Sequence, residues 1–375
     1  MAKPSKDQLE LDVGIVRPTP SVGTTGLLTS DPWLAASALQ KSIRRGDADT
    51  AVSAALALHR LRGSSIWQRF LVIAFEDIGA ASPDTLVNVV TACTDPEWRR
   101  HAGGNTVIVG NLARMLARAP GDRSADYLIS AARCHPSLAH ARQRLQSLPV
   151  HARIDMAGDA TLPLPVRATA AWFASGVEWS EERQVGPGDI AGLFARFREL
   201  GVPGELLRAT QIAAQRTREP ITIMLPVIWL AADADRHKHV IEQPVPASPV
   251  IDGVPLYSLD KHTRTGRRAI ELFANENTAV RDYLDQHVPA RSRRAAAYLC
   301  AFYADAAPLS RKLQWAQGDE LERLGIEADF HPVGVIPDAI PALLRATRAN
   351  LDHLNLIRER VLKEALRADR RGRPA

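Results

Sequence analysis

From Pro32 to Leu148 the sequence carries an almost unbroken helical periodicity, and this pattern restricts the chain to a helical fold. Apolar residues recur three or four positions apart through successive segments, the spacing that places them on one face of an α-helix. Short polar turns such as 45–47 and 63–65 separate the segments, with small polar residues where helix caps belong. The strand–helix alternation that builds a parallel sheet is missing from the pattern. The sequence therefore predicts an all-α, multi-helix protein.

Proline and glycine divide the chain into five regions. Residues 1–30 hold several of both and lack a sustained period, while the prolines of 243–256 cannot continue a helix because proline has no backbone donor. A connector at 149–165 marks a further boundary. The predicted regions are a flexible N-terminal arm (1–30), a helical module (31–148), a second helical subdomain (149–242), a proline-rich linker (243–256) and a C-terminal helical region with a basic tail (257–375).

The C-terminal region has a less regular pattern than the first module. Its spacing predicts a short helix at Ser310–Ala316 and one long final helix from Ile340 to about Asp369. Both are expectations about local structure, made from periodicity alone.

The composition mainly excludes certain classes of protein and site. Hydrophobic residues make up 46% of the 375 and charged residues 24%, and no apolar run approaches 18 residues, so no membrane association is expected. The three cysteines are far apart without a CxxC pair, which argues against a disulfide framework or structural zinc and suits a reducing compartment. His237 and His239 are two positions apart, a spacing that separates them on a helix. We expect a cytoplasmic protein with no metal and no cofactor.

Two charged patches are the most distinctive motifs of the first module. One runs from Ser37 to Arg44 and continues as Gly46-Asp-Ala-Asp49, and the other is Glu76-Asp-Ile-Gly79. With a weaker run at 116–120, they make residues 35 to about 132 resemble the C-terminal region of the RarA/MgsA family of replication-associated AAA+ ATPases. In that family the region is a helical tetramerisation module related to the collar of clamp loaders. The resemblance implies a clamp-loader-collar-like module, a homo-oligomer with a tetramer favoured, and a role in DNA replication, recombination or repair.

The ATPase activity of that family does not carry over to this chain. A P-loop needs GxxxxGK[ST], because backbone amides hold the phosphates while the lysine and the hydroxyl serve phosphate and magnesium. The sequence contains no Gly-Lys dipeptide, and residues 1–30 are too short for an ATPase core. An enzyme is therefore the less favoured interpretation, and a separate ATPase becomes a candidate partner.

The acidic pair Glu76-Asp77 admits two interpretations. Paired carboxylates can serve acid–base or metal chemistry, or they can accept charge-assisted hydrogen bonds from Lys41, Arg44 or Arg45 on the neighbouring helix. We favour the second interpretation, because both patches recur together in the family. The residues predicted to fix this helical hairpin are Lys41, Arg44, Asp47, Glu76 and Asp77.

The most chemically dense segment lies after the proline-rich linker, where a helix is predicted to begin. Backbone amides and cations at a helix N-terminus can hold an anion such as a phosphate. The alternative is an Asp or Thr N-cap followed by a solvated basic face. The residues of this candidate anion or ligand site are Asp260, Lys261, His262, Arg264, Arg267 and Arg268.

Two arginine clusters are candidates for contact with nucleic-acid phosphates, which bind proteins through counterion release. Charge runs of this kind are more often solvated faces or flexible ends. The residues are Arg291, Arg293, Arg294, Arg370, Arg371 and Arg373.

Three functions remain open from the sequence. The first is a non-catalytic oligomeric accessory protein of DNA replication, recombination or repair that acts through protein and DNA contacts. The second is an enzyme or phosphorylated-ligand-binding protein with its site at Asp260–Arg268. The third is a scaffold whose partner is another protein.

Overall fold

Helices make up most of the computed structural model, which describes residues 27, 29–178 and 185–372. The first group is α1 (Pro32–Arg44), α2 (Ala48–Arg62), α3 (Ser65–Ile73), α4 (Pro83–Thr94), α5 (Pro96–His101), α6 (Asn105–Arg118) and α7 (Ser124–Cys134). The second is α8 (Ala139–Ser147), α9 (Val150–Gly158), α10 (Leu164–Ser175), α11 (Ile190–Glu199), α12 (Gly204–Thr217) and α13 (Ile221–Asp233). The third is α14 (Arg264–Glu276), α15 (Thr278–His287), α16 (Arg293–Ala301), α17 (Gly318–Phe330), α18 (Ile340–Ala349) and α19 (Leu351–Gly372). The all-α prediction is confirmed.

Side-chain caps fix where several of these helices begin. Asp31 accepts the backbone N–H of Trp33 at the start of α1, and Asp47 accepts that of Thr50 at the start of α2. Thr263 does the same for α14. Each cap satisfies one backbone donor that has no partner within the helix. Asp47, expected to fix the hairpin, therefore acts at its turn as an N-cap.

Within the described ranges, four short strands accompany the helices: β1 (His239–Glu242), β2 (Val250–Ile251), β3 (Val254–Pro255) and β4 (Arg311–Gln314). β1 pairs antiparallel with β4, and β2 with β3. The helix predicted at Ser310–Ala316 is wrong, because this segment forms β4. The segment is too short for a stable helix of its own, and β1 supplies the strand partner that a sequence pattern does not show.

Two other helix boundaries differ from the predictions. The connector expected at 149–165 contains α9, and the single helix expected from Ile340 is divided into α18 and α19 at Asn350. The Asn350 side chain donates to the carbonyl of Ala346, and its backbone C=O accepts from the N–H of Leu354. Local side-chain bonding of this kind competes with helix continuation. The apolar periodicity continues across the break and conceals it.

Apolar residues form two main buried clusters. The larger contains residues from Leu27 to Leu259 together with Leu313, Trp315, Leu321 and Leu362 of the C-terminal region. Residues on both sides of the predicted boundary at 149–165 belong to it. The smaller unites α14, α15, α16, α18 and α19. Tyr127 of α7 belongs to the second cluster, although α7 otherwise packs in the first. The C-terminal helices thus rest against the first module, and polar side chains lie between the two cores.

A close helix crossing joins these parts. α17 packs on α7, and a Cβ atom at Gly325 would lie 2.6 Å from the Cα of Tyr127. Only glycine permits this distance between the helices, because real Cβ contacts are longer. The crossing holds the second core near the end of α3, where the charged side chains described below are buried.

The predicted arm (1–30) lies outside the described residues except for Leu27, Thr29 and Ser30. Leu27 is buried, and its backbone N–H donates to Ser53 Oγ.

Candidate functional site

Three cations at the C-terminal end of α1 organise the interior. Lys41 and Arg44 lie in its last turn, three positions apart on one side of the helix, and Arg45 is its C-cap. Each binds a different carboxylate, on three separate segments of the chain. We call the set formed by these cations and their acidic partners the buried charge network.

Arg44 binds the acidic pair. Its Nη2 lies 2.7 Å from Glu76 Oε1 and its Nε 2.7 Å from Asp77 Oδ1. Gln40 Nε2 donates to the other Asp77 oxygen at 2.9 Å. The acids occupy a π-helical turn, Ala74–Ile78, that extends α3. Of the three donors considered from the sequence, the structure brings Arg44 to this pair.

Arg123, at the start of α7, is a second cation beside the acidic pair that sequence reasoning missed. Its Nε lies 3.5 Å from Asp77 Oδ1, and it also contacts Asp126. Burial raises the pKa of Asp77, with Arg44 and Arg123 acting in the opposite direction. Burial would likewise raise the pKa of Glu76, but the two arginines outweigh it and lower that pKa. The positive charges of the arginines thus outweigh the effect of burial on the pKa of Glu76 but only reduce that effect on the pKa of Asp77.

Lys41 binds Asp260 rather than Glu76 or Asp77. The Nζ–Oδ2 distance is 2.5 Å, and both side chains are nearly fully buried. Ser37 and the backbone N–H of His262 donate to the other carboxylate oxygen. Burial would raise the pKa of Asp260, but Lys41 lowers it below its ordinary value, while burial lowers the pKa of Lys41. The short distance is that of a charge-assisted contact, so we treat the pair as ionised.

Asp305 completes the network from a second π-helical turn, Phe302–Ala306. It binds Arg45 through Oδ1 and the fully buried Arg358 through Oδ2, each at 2.5 Å. Sequence reasoning missed both Asp305 and Arg358. A signal was present, because Arg358 follows Leu354 and Ile357 on the apolar stripe of α19, where a charged residue is unexpected.

The predicted ligand segment Asp260–Arg268 does not converge on one point. Asp260 is buried, and Lys261 lies 4.0 Å from the centre of the Phe302 ring. His262 borders a cleft beside Lys41, and its pKa is lowered to about 4 by burial of the ring, with Lys41 and Lys261 adding to that effect and Asp260 opposing it. The arginines of the segment, Arg264, Arg267 and Arg268, are exposed along α14.

Those exposed arginines lie beside the first arginine cluster. α14 packs on α16, where Tyr298 donates a hydrogen bond to Glu271 of α14. Burial raises the pKa of Tyr298 to about 12, although the charges of Arg294 and Arg267 act to lower it. Both guanidinium groups therefore lie near this hydroxyl. The structure thus brings together parts of two sequence-predicted sites.

The side chains of four of these arginines make no hydrogen bond or ion pair with any residue that the structure describes. Arg264 and Arg267 lie in the first turn of α14, while Arg291 and Arg294 lie at the start of α16. Arg268 and Arg293 are instead paired with Glu364 and Asp285. We call the four arginines the arginine surface. It carries uncompensated positive charge at two helix N-termini, where the helix dipole has the same sign.

A cleft opens between α1, α2 and α3 on the other side of His262. Its outer part, of about 380 Å³, is lined by Trp33, Arg62, Arg69 and Glu219 among others. An inner chamber of about 130 Å³ shares Trp33 and Arg69 and reaches His262. We call these two adjacent spaces together the Trp33 cleft.

A cavity of about 490 Å³ lies on the far side of Arg123, between α7, β4 and the proline-rich segment. Tyr127, Tyr303 and Lys312 line it. Tyr303 donates to Asp329, and Lys312 binds Asp319 and Glu322. Tyr303 and Lys312 are thus each engaged by an acidic side chain.

The described residues contain no group of three or more His, Cys, Asp or Glu side chains placed to hold a metal ion. None of their helices is both long and apolar enough to cross a membrane.

The C-terminal arginine cluster falls at the edge of what is described. The backbone of Arg370 and Arg371 continues α19, while their side chains and all of Arg373 lie outside the described residues.

Comparison with protein-family models, with curated proteins and with solved structures gives no match to this chain.

Proposed function

We propose that this protein is a non-catalytic helical accessory factor of DNA replication, recombination or repair, and that it binds nucleic-acid phosphates through the arginine surface. The observation that carries the proposal is the set of exposed, unpaired arginines at the adjacent starts of α14 and α16. The resemblance of residues 35 to about 132 to the RarA/MgsA C-terminal region supports the cellular process. A cytoplasmic location and a separate ATPase as partner belong to the same proposal.

Phosphate binding suits this surface for two physical reasons. A guanidinium group presents a planar fork of donors that matches phosphate oxygens. The first backbone N–H groups of a helix and its dipole also favour an anion. Two helix starts with two arginines each combine both effects, and release of the counterions around the nucleic acid then drives binding.

The acidic groups nearby do not neutralise the arginine surface directly. Glu271 accepts from Tyr298, Asp285 binds Arg293, and Glu364 binds Arg268. Each acid thus has another partner at hydrogen-bond or ion-pair distance. The four arginines keep their charges available to a ligand.

The geometry favours this proposal over a single ligand site at Asp260–Arg268. Asp260 neutralises Lys41 inside the protein, while Arg264 and Arg267 extend into solvent. A small anion would contact one part of the segment and not the other. A long polyanion lying along α14 and α16 needs only the exposed part.

The salt dependence of DNA binding tests this proposal. Changing Arg264, Arg267, Arg291 and Arg294 together to Gln is expected to reduce the slope of log K against log salt by about 3–4, since each phosphate contact contributes about 0.9. Fluorescence anisotropy with a labelled oligonucleotide between low and moderate salt measures the slope.

A charge-matched variant is the control. Arg60, Arg144, Arg208 and Arg216 are exposed on α2, α8 and α12, so changing them to Gln removes the same net charge elsewhere. This control is expected to keep most of the slope. Equal slopes for both variants, or no binding by the wild type at low salt, would contradict the proposal.

We propose in addition that the protein self-associates, with a tetramer favoured, as the family resemblance implies. Light scattering behind a sizing column is expected to give a mass close to four times 40.9 kDa. A monomer at micromolar concentration would exclude this part of the proposal and leave the arginine surface unaffected.

A further inference from the structure

Among the described residues, Trp33 has the most exposed aromatic side chain. Its relative exposure is 60%, whereas Trp67, Trp172 and Trp315 are buried. It stands on the first turn of α1, at the mouth of the Trp33 cleft, and lines both the outer part and the inner chamber. An exposed indole beside a cleft offers a flat apolar face against which an aromatic ring can stack.

Two arginines line the same cleft without a partner. Neither the Arg62 nor the Arg69 guanidinium makes a hydrogen bond or ion pair with any of the described residues. Arg62 ends α2, and Arg69 lies on α3 and lines the outer part and the inner chamber alike. Ser65, the first residue of α3, also lines the outer part. Two guanidinium groups and a helix N-terminus on one cleft favour a bound anion.

The acids of the cleft differ in how they are engaged. Glu76, in the inner chamber, is already bound by Arg44. Glu219, in the outer part, has no hydrogen bond or ion pair to its carboxylate from the described residues. Burial raises the pKa of Glu219, the Glu76 charge adds to this, and Arg69 opposes it. A ligand hydroxyl or N–H that donates to Glu219 would satisfy this carboxylate.

These groups together match one ligand chemistry. We propose that the Trp33 cleft binds a nucleoside phosphate, with the base stacked on Trp33, the phosphate held by Arg62 and Arg69, and a hydroxyl or N–H donated to Glu219. Leu58 and Val72 add apolar surface to the cleft wall. The outer volume of about 380 Å³ falls within the range of small-molecule sites.

The ligand has two possible sources with the same chemistry. It is either a free mononucleotide or one nucleotide unit of a single strand. His262, two residues before Arg264 of the arginine surface, is among the residues that line the inner chamber. A strand source would therefore connect this site to the proposed function, whereas a free nucleotide would be independent of it.

Binding measurements on the full chain test the proposal. AMP, ATP and a twelve-residue thymidine oligonucleotide are titrated by calorimetry into the wild type, Trp33→Ala, Arg62→Gln and Arg69→Gln. The first change is expected to weaken binding at least about fivefold, since stacking of one base contributes about that much or more. The arginine changes are each expected to weaken it about tenfold, as loss of a charged hydrogen bond does.

Matched controls are available outside the cleft. Arg60→Gln removes an exposed arginine of α2 that does not line the cleft, and Tyr283→Ala removes another exposed aromatic ring. Both are expected to bind as the wild type does. Thermal unfolding checks that every variant folds, and Trp33→Phe, which keeps a stacking face, is expected to retain most of the affinity.

The outcomes separate the alternatives. Mononucleotide binding that depends on Trp33 and Arg69 identifies a free ligand, and dependence seen with the oligonucleotide alone identifies a strand. Absence of binding by all three probes at millimolar concentration overturns the inference. So does oligonucleotide binding that is lost in the arginine-surface variant but unchanged in Trp33→Ala, when AMP and ATP show no binding that depends on Trp33. That result would leave the proposed function intact.

Discussion

Replacing Asp77 with alanine is expected to lower the free energy of unfolding at pH 7 by about 3–5 kcal/mol, the usual loss when one member of a buried ion pair is removed. Asp77 is fully buried and accepts from Gln40 and Arg44, with Arg123 close by. Its removal leaves two buried guanidinium groups with only Glu76 and Asp126 to compensate them. Urea denaturation followed by circular dichroism measures the change.

Two further variants make this experiment specific. Asp155→Ala removes an exposed carboxylate from α9 and is expected to change stability by less than about 0.5 kcal/mol. Asp77→Asn keeps an oxygen that can accept from Arg44 and is expected to lose less than Asp77→Ala. A loss below about 1 kcal/mol for Asp77→Ala would mean that the acidic pair does not hold α1 to α3.

Replacing Lys41 with methionine is expected to lower stability by a similar amount, about 3–5 kcal/mol at pH 7. The variant leaves the Asp260 carboxylate buried without its cation. The loss is expected to diminish as the pH falls toward 4.5. In the variant, unopposed burial raises the folded-state pKa of Asp260, so the folded state takes up a proton before the unfolded state does and gains stability on acidification.

In the wild type, ionisation of Asp260 changes the stability with pH in the opposite direction. Its folded-state pKa of Asp260 lies below the ordinary value of 3.8, so the contribution of the carboxylate to stability is present above that pH and is lost below it. The gap between the two proteins is therefore widest at pH 7. Denaturation series at pH 4.5, 5.5 and 7 measure it.

Controls for Lys41 come from an exposed pair and a double variant. Lys238, partly exposed, binds Asp233 at 2.7 Å, and Lys238→Met is expected to cost less than about 1 kcal/mol. Lys41→Met combined with Asp260→Asn removes both charges and is expected to recover stability and lose the pH dependence. A gap that widens on acidification would contradict the assignment of the Lys41–Asp260 pair.

The part of the site that sequence could predict is the part made by neighbouring segments. Arg44 was among the donors expected for Glu76 and Asp77, because α1 and α3 are separated by one helix. The partners of Lys41 and Arg45 were not predictable in this way. Asp260 and Asp305 lie more than two hundred residues further along the chain, and helical periodicity carries no information about which distant helices meet.

The ligand segment shows a related limit. Asp260 to Arg268 looks like one chemical unit in the sequence, but the Thr263 cap turns the chain into α14 and sends the acid inward and the arginines outward. A helix distributes successive side chains around its axis. The side chains of this segment therefore point in different directions although they are close in sequence. The exposure of Trp33 likewise depends on how α1 packs against the neighbouring helices.

By itself, the sequence determined that this chain is helical and where most of its helices begin, because periodicity and capping act over a few residues. Only the tertiary structure decided that Ser310–Ala316 pairs with β1 as a strand, that α17 crosses α7 at Gly325, and that the cations of α1 bind Asp77, Asp260 and Asp305. These outcomes depend on which elements approach one another. A buried charge takes whichever opposite charge the packed helices bring within contact distance, since leaving it unpaired costs several kcal/mol.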